Sequence, residues 1–218
     1  MTVSGASVTS NVTQRSALIS QALRLEYVTV AWMVIEAAVA IGSGIAAGSL
    51  LLLAFGIDSL IELASAGVLL WRLDVELRRG QVFAEQAERT ASRIGAVLLF
   101  ALACFVVVAA GWKLWARQGA DFSLPGLLVS VVAIPVMYVL ARRKLRLADA
   151  LGSRALRADA VESITCGWLA FVVVAGLIGQ LLLDFWWLDP LASLAVVWLL
   201  VREGREAWTG EGCCDECG

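Results

Sequence analysis

The sequence predicts an all-α membrane protein with six transmembrane helices, and three observations carry that reading. Hydrophobic residues fill 60% of the 218 positions, charged residues only 17%, and the mean hydropathy is +0.83; a soluble domain is about 45–50% apolar and about 25% charged. Six apolar stretches reach, or nearly reach, the roughly 20 residues that a bilayer core demands. They are continuous rather than alternating, which favours helices over barrel strands. The basic residues fall almost entirely between alternate stretches, as the charge bias of membrane proteins requires. This composition excludes a soluble enzyme, a secreted disulfide scaffold and a disordered tail. A net charge of −2 gives no support to nucleic-acid binding.

The elements follow in order. Residues 1–24 form a polar, Ser/Thr-rich tail without the charged-then-apolar pattern of a cleaved leader. A transmembrane domain over 25–203 then holds the spans Tyr27–Ala47, Ser49–Trp71, Ile94–Trp112, Phe122–Ala141, Ala158–Leu183 and Trp186–Val201, the last extending through Glu203. Residues 204–218 make a Cys-rich tail. A turn at Gly48 separates the first two spans and a turn near Asp184–Phe185 the last two, so the outer loops are expected to be short and the inner ones longer. All basic residues except Lys113 and Arg117 lie on one side of this arrangement, which makes both termini cytoplasmic. Trp112, Trp115, Trp186 and Trp187 mark the outer interface, and Trp71 and Trp208 the inner. The expected setting is a multi-pass protein of a bacterial inner membrane.

Two segments echo each other. Gly48-Ser49 leads through Leu52 and Ala54 to Asp58-Ser59-Leu60, and Gly152-Ser153 leads through Leu156 and Ala158 to Glu162-Ser163-Ile164. With six spans the second helix runs inward and the fifth outward. The pattern fits an inverted 3+3 repeat, in which transporters bind substrate near the midplane; chance likeness between apolar helices is the alternative.

Acids inside the spans carry the functional reading. Glu36, Asp58, Glu62 and Glu162 would each cost roughly 2.5–3.5 kcal/mol at a helix centre, and no Lys or Arg is expected deep in a span to neutralise them. They must be protonated, face water or bind a cation. Asp58 and Glu62 share a helical face at i, i+4, as do Glu162 and Cys166. Facing one another, these four offer oxygen and sulfur ligands for a tetrahedral divalent ion such as Zn²⁺. Hydrogen-bonded protonated carboxyls, and Cys166 as a small apolar filler, are the bland alternatives. Ser59 and Ser163 are expected to help helices approach or to bond the backbone, with direct ligation a second role. Glu36 is either a proton-relay or accessory group or a hydrogen-bonding residue between helices.

The run Gly48-Ser49-Leu50 through Ala54-Phe55-Gly56-Ile57-Asp58-Ser59-Leu60-Ile61-Glu62 resembles the cation diffusion facilitator family of zinc and manganese transporters. So do Ala158-Asp159-Ala160-Val161-Glu162-Ser163 and Asp189-Pro190-Leu191-Ala192-Ser193-Leu194. The resemblance covers roughly Tyr27 to Arg205, in a short form lacking the cytoplasmic C-terminal domain. It implies a divalent metal bound by helices two and five and exchanged for protons by alternating access. By position Asp58 and Glu62 are the second-helix ligands, and Glu162 and Cys166 take places where the family usually has His or Asp followed by Asp. Phe55 stands where many members have Asp, while Asp159 keeps the matching acid of the fifth helix. A carboxylate binds metal only when deprotonated, so metal and protons compete. The expected activity is proton-coupled efflux of a divalent ion, zinc first, with Cd²⁺, Mn²⁺ and Fe²⁺ open. No prosthetic group is expected, and any homodimer would form through the membrane helices.

The remaining cysteines divide. Cys104 is expected to pack in the core of the third span. Cys213, Cys214 and Cys217 sit together on the reducing side, where disulfides are disfavoured, and the Cys214-x-x-Cys217 spacing lets two thiolates grip a soft ion. Rival functions are a membrane metal sensor or scaffold, a proton-coupled organic-cation exporter and a passive channel. The sequence has no His, no Gly-rich phosphate loop and no nucleophile paired with a base, so no enzyme is expected.

Overall fold

The long apolar runs fold as helices because a backbone surrounded by lipid must satisfy its own hydrogen bonds. A computed structural model describes residues 4–79, 85–183 and 185–209. Among the described residues there are six helices and no strand: α1 (Ser4–Ala47), α2 (Leu50–Arg79), α3 (Glu85–Trp115), α4 (Leu124–Leu151), α5 (Arg154–Leu183) and α6 (Leu188–Thr209). The first five are each long and apolar enough to cross a bilayer; α6 has a shorter apolar stretch and packs among them. Helix α2 touches α1, α3, α5 and α6, so its inward face is the centre of the bundle. That centre is filled by Leu51, Leu52, Phe55, Met137, Leu169, Leu177 and Leu200. The outside is apolar too: Val108, Trp115 and Leu182 are more than 70% exposed, a surface that suits lipid rather than water. The protein is an all-α membrane protein.

The two echoing segments are the same device at opposite ends of the bundle. Gly48 and Gly152 both adopt left-handed backbone, with φ of 60° and 62°. The next residue in each returns an N–H to the helix just ended, Ser49 to Gly44 O (2.9 Å) and Ser153 to Ala148 O (3.0 Å). Each serine then caps the following helix, Ser49 Oγ accepting from Leu52 N (3.2 Å) and Ser153 Oγ from Leu156 N (3.4 Å).

Three expectations change. The connection between the fourth and fifth helices is not a long inner loop but the two-residue turn Gly152-Ser153, because both helices continue past their apolar stretches. Lys144, read from sequence as part of that loop, is instead a fully buried residue of α4, so the interior does hold a cation. Cys104 is exposed rather than packed in the core. The buried stripe of α3 runs Leu99, Leu102, Ala103, Val106, Ala110, and Cys104 falls on the other face beside exposed Phe105 and Val108. The segment before Tyr27 is helical from Ser4, continuous with the first span.

Candidate metal centre

The inward face of α2 is set by helical spacing. Leu51, Phe55, Asp58, Glu62, Ala66, Leu69 and Leu73 recur every three or four residues and all are buried. The same period on α6 aligns Asp189, Ser193, Val196, Leu200 and Glu203. Two acids of α2 and one of α6 therefore meet. One carboxylate oxygen from each of Asp58, Glu62 and Glu203 lies within 4.8 Å of the other two. Asp58 is fully buried, and Glu62 and Glu203 are 6% and 7% exposed. Both oxygens of Asp58, Oε1 of Glu62 and Oε2 of Glu203 have no hydrogen-bond partner among the described residues. Like charges at this separation repel by roughly 3 kcal/mol per pair at an effective dielectric of about 20. The cluster needs positive charge, as a metal ion or as protons.

Glu162 of α5 faces this cluster across a cleft lined by Glu62, Ser65, Glu162 and Glu203, which reaches Gly95 of α3 toward the Gly152 end of the bundle. Its Oε1 accepts a long bond from the Ser65 hydroxyl (3.5 Å). Cys166, one turn along α5, lies between α1 and α2: its Sγ is 3.5 Å from Glu36 Oε1 and close to the Glu62 carboxyl. Glu36 is fully buried and well supplied with donors. Trp32 Nε1 donates to its Oε2 at 2.6 Å, and the Ser59 hydroxyl lies 2.9 Å from Oε1. Ser59 is also 3.0 Å from Phe55 O, so its one proton serves one of two acceptors. Of the sequence-derived candidates, then, Glu62 and Glu162 line one cleft with Asp58 buried behind Glu62, while Cys166, Ser59 and Glu36 form a hydrogen-bonded knot beside it.

The model of the cation efflux transmembrane domain matches residues 27–208. The chain belongs to the cation efflux family. It is therefore a membrane cation transporter of the cation diffusion facilitator type, whose substrates are divalent metal cations. Curated proteins yield no match to the chain.

Two further polar groups hold this cation efflux domain together. On one side, buried Lys144 of α4 contacts Asp159 Oδ2 of α5 (2.5 Å) and Glu26 Oε2 of α1 (3.3 Å), and donates to Ser163 Oγ (3.4 Å). Asp159 and Ser163, candidate accessory residues from sequence, are thus engaged by an ammonium group, and Ser163 also donates to Asp159 O (3.1 Å). At the Gly48 end, Asp189 at the start of α6 caps α2. Its Oδ1 accepts from Ser49 Oγ (2.6 Å) and Leu51 N (3.3 Å), and its Oδ2 from Leu50 N (3.0 Å). Lys113 of α3 reaches both Asp189 Oδ2 (3.4 Å) and Gly48 O. A carboxylate here meets the positive ends of two helices. Cys213, Cys214 and Cys217 lie outside the described residues.

Glu203, Lys144 and Glu26 were not singled out from sequence. All three lie near the ends of apolar stretches, where charged residues read as solvated. The available signal was periodicity: Lys144 continues the stripe Ala133, Met137, Leu140 of α4, and Glu203 that of α6.

Proposed function

We propose that the protein exchanges a divalent transition-metal ion of the zinc–manganese group for protons, with the acids of α2 and α5 as the ion's carriers. The observation that carries this reading is the buried α2 carboxyl pair with unpartnered oxygens, set against Glu162 in a cleft open toward one end. A carboxylate releases its proton when it takes a metal, so loading and unloading at such a cluster exchange one for the other. No covalent step is needed. The basic residues predict that the Gly152 end is cytoplasmic, so the cleft would admit ions from the cytoplasm. The Ser49–Asp189–Lys113 tie closes the opposite end, where alternating access would release them. Export is the direction this arrangement favours. The Cys213, Cys214 and Cys217 tail would serve as a capture site for thiophilic ions ahead of the cleft.

Purified protein in liposomes tests the reading without any partner. Wild-type protein is expected to move zinc or manganese across the bilayer, and Asp58→Ala to abolish that movement while still inserting. Equal flux through Asp58→Ala would remove the α2 pair from the mechanism. Flux that persists without any ion gradient dependence on protons would favour a passive pore.

A further inference from the structure

We propose that Glu203 of α6 is a direct ligand of the transported ion, which gives the site facing the cleft three carboxylates and a preference for metals that favour oxygen donors. This deepens the reading above and rests on Asp58 and Glu62 binding the ion.

The register of two parallel helices puts Glu203 there. Asp189 is fastened to the first residues of α2 through Leu50 N and Leu51 N. From those pinned ends, at a rise of 1.5 Å per residue, Glu62 lies about 18 Å down α2 and Glu203 about 21 Å down α6. The two side chains come level, and the buried stripe from Asp189 through Leu200 turns Glu203 toward α2. Its neighbours on the helix are otherwise occupied, since Arg202 pairs with Glu206 at 2.9 Å. Glu203 itself makes no ion pair among the described residues and leaves a buried oxygen unbonded beside the equally unbonded oxygens of Asp58 and Glu62. A carboxyl needed only for packing would find a donor, because an unsatisfied buried polar group is costly. An arrangement of three such groups with oxygens within ligand-sharing distance suits a cation.

The donor set decides the class of ion. Carboxylate oxygens suit Mn²⁺ and similar harder ions, and thiolates suit softer ones. The Cys166 sulfur lies 3.5 Å from Glu36 Oε1 and also close to the Glu62 carboxyl, but it is not among the atoms that gather within 4.8 Å of one another, which are carboxylate oxygens alone. The geometry therefore points to a site that discriminates by oxygen ligation, with Glu203 as a residue that sets specificity.

The test uses the full chain in detergent with Cys104, Cys213, Cys214 and Cys217 changed to Ser, so that Cys166 is the one thiol left. Mn²⁺ binding is read from the loss of the free-ion electron paramagnetic resonance signal, and Cd²⁺ binding by competition. Glu203→Gln is expected to weaken Mn²⁺ on the order of tenfold and to shift the Mn²⁺-to-Cd²⁺ preference toward Cd²⁺. Glu203→Asp keeps the charge but shortens the reach, and is expected to shift the same ratio in the same direction by less. Cd²⁺ loading is expected to give no thiolate charge-transfer absorption. An unchanged ratio in both variants, with binding lost in Asp58→Asn, would overturn the role of Glu203 and leave the α2 site standing. Binding retained in Asp58→Asn would bring down the underlying reading. A thiolate band would show that Cys166 ligates and would overturn the oxygen-only site.

Discussion

Glycine separates two kinds of local demand in this protein. At Gly48 the backbone is left-handed, and a Cβ would meet nothing within 4 Å. Ala there carries only the strain of that conformation, about 1 kcal/mol. At Gly56, on the α1–α2 contact, a Cβ would come within 2.9 Å of the Ile41 backbone nitrogen and 2.6 Å of its Cγ1. Neither helix can yield without parting from the other, because the close approach of backbones is what holds apolar helices together in lipid. Thermal unfolding in detergent should therefore order the variants, with Gly48→Ala mildly and Gly56→Ala severely destabilised. The reverse order would mean that α1 and α2 do not cross where the structure has them. The same contact bears on function, since Asp58 follows Gly56 by two residues and Glu36 precedes Ile41 by five.

At the scale of elements, Lys144 ties α4 to both α1 and α5 through Glu26 and Asp159. Removing one partner of a buried ion group leaves uncompensated charge and costs about 3–5 kcal/mol, whereas neutralising the group together is often harmless. Lys144→Met is expected to lower stability by that order, and the added changes Glu26→Gln and Asp159→Asn to restore most of it. A simple sum of losses in the triple variant would show that the three residues act independently. This group also shows where sequence reasoning stops. Apolar runs made the spans legible and Gly48 the first turn. The two-residue turn at Gly152-Ser153 stands where a longer inner loop is expected, and its likeness to Gly48-Ser49 is the one signal for it. Yet Lys144 stands among Arg142, Arg143 and Arg146, and Glu203 among Arg202, Arg205 and Glu206, where charge suggests water. Their burial comes from helices that continue beyond the lipid-facing run and keep packing on their neighbours. Only the three-and-four spacing of the buried stripe carries that information. By contrast Asp58, Glu62 and Glu162 stood out at once, because an acid within an apolar run has no ordinary explanation. Cys166 shared their spacing, but spacing alone does not reveal that its sulfur faces Glu36.

For the whole molecule, the polar groups divide into two classes with different tasks. Asp189 and Lys113 fasten the Gly48 end, and the Lys144 group fastens α1, α4 and α5; in both, each carboxylate is paired with an ammonium group. The Asp58, Glu62 and Glu203 carboxyls have no such cation among the described residues, and Glu62 and Glu203 line the cleft that leads to the Gly152 end. A transporter needs this division, since a site whose ligands were already satisfied would gain nothing by binding an ion. Protons and metal then compete for the same oxygens, so affinity for the ion should rise with pH and each ion bound should release protons to the medium. The most direct test records both fluxes at once in liposomes containing the purified protein, with a metal-sensitive and a pH-sensitive dye inside. The account expects metal entry to be matched by proton exit, to quicken when the vesicle interior is made more acidic than the medium, and to vanish together with the proton signal in Asp58→Asn. Metal entry that proceeds with no proton movement, or that survives intact in Asp58→Asn, would contradict it.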